Sequence, residues 1–433
     1  MDRDIMASEV SATLNRIKTT AAAGDDPITN NMIRNLDDQS VAARTDLFNY
    51  DWHEGRLPDS CKHAKSGRIS SPTMFGFRAG LSTQDIMWQI QHYILKPGPI
   101  RATHTILGLD VSKAFDNVSH ASILTNLSRM NVGTRTYKYI ANFLHNRTAE
   151  LPIGDLCSGK VTKGTRGTPQ GAVLSPMPGL PTLLDTIPHI KHSIYADDIT
   201  LWTNSGSDRE IQDSLQQASD TIHTYVWANG LVCSPTKCEL LVIRDKRVRR
   251  PVPDPQEPIT LHIATHPIHP VQTIRVLGMR VQNNTHNSES IQRLRTTAHQ
   301  INGLIRRITT RCRGMRETDL CRLTQAYLIS SILYTYPYYH LRRKDEEAVN
   351  SIIRPAYKVA MGLPQSASTQ RLLQLGVYNT HTELIEAHKT AEVHLLSRTE
   401  HGRYTLNRLN INPTGENHPT ARLPTGVCSR LVI

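Results

Sequence analysis

The stretch Lys191-His-Ser-Ile-Tyr-Ala-Asp-Asp-Ile-Thr-Leu-Trp-Thr203 places two short segments on either side of Ala-Asp-Asp. The segment Ile199 to Thr203 consists mostly of β-branched and aromatic residues, and Lys191 to Tyr195 ends in Ile-Tyr. Both features are typical of strands. Only a tight turn fits between the two segments. The stretch therefore predicts a hairpin whose tip carries two adjacent carboxylates, Asp197 and Asp198.

Elements on both sides of this hairpin complete a known order. They are a strand from Thr103 to Val111, helices from Ser119 to Met130 and from about Thr134 to Asn146, hairpin arms at Glu150 to Ile153 and Lys160 to Lys163, the two central strands, a helix from the capping box Ser207-Asp-Arg-Glu210 to Asn229-Gly230, and a strand from Cys238 to Ile243. Without the insertion after the first helix, the order is β-α-β-β-α-β, which predicts an α+β fold on the ferredoxin-like plan. This plan supports many functions and fixes no chemistry alone.

The composition favours a nucleic-acid partner. The 433 residues carry a formal net charge of +12, and basic side chains gain affinity for polyanions by releasing phosphate counterions. A basic surface kept only for solubility is the alternative. The sequence has no apolar run long enough for a membrane span and no signal-peptide pattern. Its seven cysteines form no CxxC pair, so we expect an intracellular protein that is not secreted, without a disulfide framework.

Three carboxylates form the candidate site. Asp110 ends the first predicted strand, and the ferredoxin-like plan sets the tip with Asp197 and Asp198 next to that strand end. Two-metal phosphoryl transfer needs carboxylates from different strands, because Mg²⁺ prefers hard oxygen ligands. An Asp-Asp pair in a turn is common turn chemistry. The flanking strands and the fold order favour a site for two Mg²⁺ ions, with Mn²⁺ as a substitute.

Three ordered motifs connect the sequence to a family. They are Leu109-Asp-Val-Ser-Lys-Ala-Phe-Asp116, Gly167-Thr-Pro-Gln-Gly-Ala-Val-Leu-Ser-Pro176 and Tyr195-Ala-Asp-Asp198. The set resembles the catalytic motifs of reverse transcriptases, and Gly76-Phe-Arg-Ala-Gly-Leu-Ser-Thr-Gln-Asp85 upstream is similar to non-LTR retrotransposons of the jockey-like kind. Each motif alone is weak, but their order is specific.

The resemblance implies roles for individual residues. Asp110 and Asp197 would bind both metals, with Asp198 and the Val111 carbonyl assisting. The other implied roles are exclusion of a ribose 2′-hydroxyl by Phe115, contact with template base and nucleotide by Gln170 and Gly171, protonation of the leaving pyrophosphate by Lys237, and a primer grip at Leu277, Gly278 and Met279. The alternative interpretations are that Phe115 is a core residue, that Gln170 and Gly171 belong to an ordinary Thr-Pro turn, and that Lys237 is a solvated lysine.

The resemblance also implies a right-hand polymerase with a ferredoxin-like palm, truncated fingers and a helical thumb. The expected domains are residual fingers and N-terminal helices at 1–75, palm with remaining fingers at 76–260, primer grip, thumb and connection at 261–400, and a loose tail at 401–433. A helix from Ser82 to Leu95 and a strand pair from Ile274 to Gln282 belong to this plan. From Ser288 the thumb helix would bury Ile291, Leu294, Ala298, Ile301 and Ile305 and expose its arginines.

Two departures from the family pattern bear on activity. Only Lys65 to Phe75 stands where relatives carry a long fingers segment, and Met177-Pro-Gly-Leu-Pro181 interrupts an expected palm helix. The expected function is RNA-directed DNA polymerase, with RNA template, DNA primer and dNTPs as partners. The alternative is an impaired remnant that only binds nucleic acid. The sequence does not identify protein partners.

Overall fold

The computed structural model describes residues 3–17, 30–54, 73–76, 81–96, 103–129, 132–145, 148–149, 152–153, 156–157, 161–162, 164–168, 177, 179–244, 258–309 and 314–411. The chain forms two compact units. The smaller comprises Met1–Ser70, Ser112–Gly179 and Thr224–Val232, and the larger comprises Ser71–Val111, Leu180–His223 and Cys233–Ile433. The three carboxylates of the candidate site all belong to the larger unit.

The first strand, which lies in the middle of the main sheet, is long, and the other strands are short. They are β1 Thr103–Ser112, β2 Thr148–Ala149, β3 Pro152–Ile153, β4 Leu156–Cys157, β5 Val161–Thr162, β6 Lys191–Tyr195, β7 Asp198–Thr203, β8 Val232–Cys233, β9 Glu239–Arg244, β10 Leu261–Ile263, β11 His266–Val271, β12 Thr273–Val276 and β13 Met279–Gln282.

The main sheet confirms the predicted plan. Its strands lie in the order β10-β11-β9-β1-β7-β6, with β1 antiparallel to both β7 and β9. Among the four predicted strands this puts the fourth beside the first, then the third, then the second, which is the ferredoxin-like arrangement. Ile106 and Leu107 of β1 are fully buried, as expected for a central strand covered on both faces.

The helices are α1 Ala7–Leu14, α2 Asn30–Arg34, α3 Asp38–Glu54, α4 Thr83–Ile90, α5 Ala114–Asn117, α6 His120–Arg129, α7 Thr134–Leu144, α8 Leu180–Leu184, α9 Asp208–Ala228, α10 Ser288–Ile308, α11 Glu317–Thr324, α12 Ser330–Thr335, α13 Arg343–Ala360, α14 Thr369–Gln374, α15 His381–Ser397 and α16 Glu400–Arg408. Capping hydrogen bonds confirm two of the predicted helix starts. The Ser82 side chain accepts from Gln84 N, and Ser207 N donates to Glu210. Gly230, with a φ of 75°, ends α9.

One apolar core organises the larger unit. It joins α4, the inner face of the sheet, the β12–β13 hairpin and the C-terminal helices. All five residues of the predicted α10 stripe are buried, whereas Arg293, Arg295, Arg306 and Arg307 are exposed. In the smaller unit, Val10 and Leu14 of α1 pack with Val41 of α3 in a separate cluster.

Two features differ from the predicted organisation, and a third agrees with it. Strands β10 and β11 have no counterpart in the prediction. Strand β11 contains Pro267 and Pro270; it pairs antiparallel with β10 through His266 to Ile268 and in parallel with β9 through His269 to Val271. Each ladder spans only three residue pairs, so the missing proline N–H groups interrupt few hydrogen bonds. Helix α16 occupies the start of the segment predicted as a loose tail, since Leu406 is fully buried. The expected interruption at Met177 to Pro181 is present: the described part of this region contains the five-residue α8, with Pro181 in its first turn.

Two further points concern the truncated fingers and membrane-spanning helices. The truncated fingers segment falls largely at 55–72, outside the described residues. Among the helices that the structure describes, none combines the length and apolar character needed to cross a membrane.

Candidate active site

Strand register brings two of the three carboxylates together. In the antiparallel pair of β1 and β7, Asp110 lies directly opposite Asp198. Side chains of directly opposite residues leave the sheet on the same face, with Cβ atoms about 4.5–5.5 Å apart. The β1 strand end and the hairpin tip, 88 positions apart in the chain (198 − 110), therefore present their acids side by side.

The third carboxylate lies in the tight turn between β6 and β7. Tyr195 pairs with Asp198, so Ala196 and Asp197 alone make the connection. Ala196 has a φ of 57°, and Asp197 does not share this left-handed conformation. A positive φ at the first turn residue alone fits the mirror-image turns that match strand twist. The turn thus fixes Asp197 directly beside the strand end that carries Asp198.

Electrostatic repulsion among the three acids follows from this placement. Partial desolvation by the surrounding chain, followed by repulsion from Asp197 and Asp110, raises the pKa of Asp198, although part of its side chain still reaches solvent. Lys237 and Arg275 act in the opposite direction. Carboxylates that repel one another in this way are stabilised by a bound cation.

Lys237 is tethered to Asp110 through the backbone. Ser234 N donates to Asp110 O at 2.9 Å, and Lys237 N donates to Ser234 O at 3.0 Å. The short 3₁₀ turn Pro235–Lys237 then directs the lysine back to the strand end. Its Nζ lies 3.1 Å from Asp110 Oδ2, close enough for an ion pair although the geometry is not that of a hydrogen bond.

The donor atoms fit a hard divalent cation in kind. Asp110 Oδ2 is buried and has no hydrogen-bond partner among the described residues, and it belongs to a side chain that is 23% exposed. Within the described stretches, no three or more His, Cys, Asp or Glu residues are gathered into a ready-made metal cage. Mg²⁺ commonly uses one or two carboxylates and completes its shell with waters and substrate phosphates, so this open set is compatible with metal binding.

The predicted primer-grip residues form the tip of a second hairpin. Leu277 and Gly278, with φ values of 49° and 100°, connect β12 to β13, whose Val276 and Met279 pair. Met279 is fully buried. Tyr334 Oη donates to Leu277 O at 2.9 Å, so a distant helix holds the tip from outside.

Three further groups of predicted residues remain. The Val111 side chain is buried in β1 next to Asp110. Phe115 belongs to the smaller unit, where it is half-buried in α5 and its carbonyl accepts from Thr168 N. Gln170 and Gly171 lie outside the described residues.

Sequence reasoning missed two neighbours of the site. Arg275 lowers the pKa of Asp198, and its only sequence signal is its place in the predicted 274–282 strand pair. Tyr334 lies 57 positions after the Leu277 carbonyl that it contacts, and no local pattern marks it.

A family model supports the assignment that the motifs suggest. The family model described as reverse transcriptase (RNA-dependent DNA polymerase) matches residues 61–281, which is just over half of the chain. That range contains Asp110, Asp197, Asp198, Lys237 and the hairpin tip at Leu277. Among solved structures, a telomerase from Candida albicans, in complex with a fragment of telomeric RNA, aligns over 76% of this chain and 53% of its own at 12% identity, with a TM-score of 0.31.

Relatives come from mobile elements. A retrovirus-related Pol polyprotein from the type-1 retrotransposable element R2 of Popillia japonica is 37% identical over 84 residues, 19% of this chain and 12% of the relative. The RNA-directed DNA polymerase from mobile element jockey of Drosophila funebris is 22% identical over 287 residues, 54% of this chain. The chain spans 31% of that relative's length. The resemblance to non-LTR elements is thus confirmed, and the chain belongs to the reverse transcriptase family.

Proposed function

We propose that this chain is the polymerase core of a retrotransposon reverse transcriptase, which copies RNA into DNA by extending a primer 3′ end. The cross-strand pairing of Asp110 with Asp198, next to the turn that holds Asp197, carries the proposal. It supplies carboxylates from two strands at one place, as two-metal nucleotidyl transfer requires. Family membership supports the reaction type.

In this proposal, Asp110 and Asp197 hold two Mg²⁺ ions, with Asp198 and the Val111 carbonyl assisting. The bound ions would supply charge stabilisation for the attacking hydroxyl and the leaving pyrophosphate. Lys237 lies at the strand end beside Asp110, where a protonated amine can donate a proton to the departing pyrophosphate. Mn²⁺ substitutes for Mg²⁺ because both accept carboxylate oxygen ligands.

The surrounding elements take the remaining roles. The main sheet is the palm, with truncated fingers before it, and α10 belongs to the thumb. Leu277, Gly278 and Met279 position the primer 3′ end, and the exposed arginines of α10 contact duplex phosphates. Phe115 excludes the 2′-hydroxyl of an incoming nucleotide, and Gln170 and Gly171 contact the template base and the dNTP.

The test is primer extension on an RNA template with dNTPs and Mg²⁺. We expect Asp197→Ala to lower extension by at least about a hundredfold, because several kcal/mol of charge stabilisation depend on the metals. Asp213→Asn, which alters an exposed carboxylate of α9, is the matched control and should extend like the parent chain. Equal extension by Asp197→Ala and the parent would overturn the proposal.

A second candidate is a remnant that binds nucleic acid without chemistry. The short helix α8, which stands in place of a full palm helix, favours it. In that case neither the parent nor Asp197→Ala extends a primer, but both retain salt-sensitive binding to an RNA–DNA duplex.

A further inference from the structure

A short segment from Thr73 to Gly76 lies along the outer edge of the main sheet. Met74 forms a parallel bridge with Ile194 of β6. Phe75 N donates to Ile194 O at 2.9 Å, and Ile194 N donates to Thr73 O at 3.0 Å. The Phe75 side chain is 1% exposed. The segment is therefore fixed in register with the strand that leads into the carboxylate turn.

A side-chain contact reinforces this register. Thr73 Oγ1 lies 2.8 Å from His192 Nε2, in a buried hydrogen bond between the segment and β6. Burial lowers the pKa of His192 to about 4, so the ring is neutral at ordinary pH and can accept or donate without carrying charge. Backbone and side-chain bonds together hold the segment at one position along β6.

Gly76 is the point where this segment meets the turn. A Cβ atom at position 76 would lie 2.8 Å from Ala196 N and 3.5 Å from Tyr195 C. The first distance is shorter than real Cβ contacts allow, and the atom it meets is backbone, which cannot rotate aside. The φ of Gly76 is ordinary, so glycine is needed here for space alone.

Strand pairing and backbone conformation restrict the movement of the turn. Tyr195 pairs with Asp198 across the hairpin, and Asp198 pairs with Asp110 on β1. Ala196 already adopts a φ of 57°, a conformation that costs a residue with a Cβ some energy. Pressure on Ala196 N would therefore move the peptide between Tyr195 and Ala196, at the start of the turn, and alter the direction of the Asp197 carboxylate.

We propose that Gly76 is a positioning residue: its missing side chain lets the 73–76 segment support the backbone of the carboxylate turn and thereby set where Asp197 points. The proposal rests on the proposed function, since it assumes that Asp197 binds a divalent cation. In this role Gly76 acts through the backbone of the turn, by way of Ala196 N.

The experiment measures Mn²⁺ binding by electron paramagnetic resonance, alongside primer extension and thermal unfolding. Asp197→Asn first identifies the site-specific part of the Mn²⁺ signal. We expect Gly76→Ala to weaken that binding about tenfold or more, as loss of groups that orient metal ligands commonly does. kcat should fall in parallel, with an unchanged KM for primer–template and a melting temperature lowered by only a few degrees.

Two further variants separate positioning from folding. In Gly108→Ala the new Cβ would meet Ile274 Cδ1 at 3.4 Å, an ordinary contact with a flexible side chain, so it should bind Mn²⁺ like the parent. Thr73→Val removes the bond to His192 without adding an atom at position 76, and should weaken Mn²⁺ binding by a smaller factor.

The outcomes are distinguishable. Parent-like Mn²⁺ affinity in folded Gly76→Ala overturns the positioning role, because the contact is then harmless. If Gly76→Ala does not fold, Thr73→Val decides: weakened Mn²⁺ binding in that folded variant supports the role, and unchanged binding overturns it. Mn²⁺ binding that Asp197→Asn leaves unaffected would instead contradict the proposed function.

Discussion

At the scale of single residues, Lys237 attracts the carboxylate of Asp110, and the carboxylates of Asp110 and Asp197 repel that of Asp198. Asp110 Oδ2 is buried without a hydrogen-bond partner among the described residues, and Lys237 Nζ lies 3.1 Å away. The lysine side chain is 67% exposed, so solvent weakens the pair. Without a metal, Lys237 therefore partly neutralises an oxygen that a cation would otherwise bind.

This competition predicts opposite effects from one substitution. Lys237→Met should strengthen Mn²⁺ binding by up to roughly fivefold, because an exposed ion pair is worth up to about 1 kcal/mol. The same variant should lower kcat, because the donor for the leaving pyrophosphate is lost. Titration with Mn²⁺ and single-turnover extension measure the two effects.

Lys237→Arg is the control, since it retains the charge and should leave Mn²⁺ affinity close to that of the parent. Weaker Mn²⁺ binding in Lys237→Met would show that the lysine helps to hold the metal site together, contrary to the prediction.

At the scale of elements, the β12–β13 hairpin depends on a tyrosine from α12. Tyr334 Oη donates to Leu277 O at 2.9 Å and lies 3.0 Å from Thr83 Oγ1. The Tyr334 ring also occupies the space that a side chain at position 278 would need. Its Cε1 lies 3.0 Å from the place where a Cβ atom of residue 278 would be. On the second strand of the hairpin, Arg280 N donates to Tyr339 Oη.

Removal of one hydroxyl tests this support. Tyr334→Phe keeps the ring and loses the bonds to Leu277 and Thr83, each worth about 0.5–1.5 kcal/mol. We expect KM for primer–template to rise about three- to tenfold, with little change in KM for dNTP. Steady-state extension with each substrate varied in turn gives both constants.

Tyr327→Phe changes a tyrosine that is 57% exposed and should leave both constants unchanged. A shift in the dNTP constant alone would argue against a primer-positioning role for the hairpin.

At the scale of the whole molecule, the larger unit buries two acids in its core. Glu392 of α15 accepts from Tyr338 Oη at 2.8 Å, and its Oε1 is buried without a hydrogen-bond partner among the described residues. Burial, followed by repulsion from Asp85, raises the pKa of Glu392 to about 8. Burial also raises the pKa of Asp85 to about 6. Folding therefore favours the protonated form of both acids.

The sign of the pH dependence follows from these pKa values. A raised pKa in the folded state gives stability that is complete below the unfolded pKa of Glu392, 4.5, and is lost as the pH rises to about 8. We expect the melting temperature of the parent chain to fall between pH 5 and about pH 8. In Glu392→Gln the fall should be shallower, and the variant should melt higher than the parent near pH 8.

Glu386→Gln, on the exposed side of the same helix, should follow the parent curve. Parallel curves for the parent and Glu392→Gln between pH 5 and pH 8 would contradict the burial of a protonated acid.

Local sequence signals were sufficient to predict those strands, turns and helices that depend on neighbouring residues. The two strand segments around Ala196-Asp197-Asp198, the capping box at Ser207 and the apolar stripe of α10 each depend on residues within a few turns or one hairpin. Those signals sufficed for the ferredoxin-like strand order and for the grouping of Asp110, Asp197 and Asp198, because the plan itself places the hairpin tip beside the first strand end.

Contacts between distant segments became known only from the three-dimensional arrangement. These are the contact of Gly76 with Ala196, the hold of Tyr334 on Leu277, the proximity of Arg275 to Asp198, the burial of Glu392 and the pairing of β11 with β9. Each depends on which residues of remote elements face one another once the sheet register is set. Local periodicity shows that a residue is buried or exposed, but it does not show which distant atom it meets, and close packing makes that identity decisive.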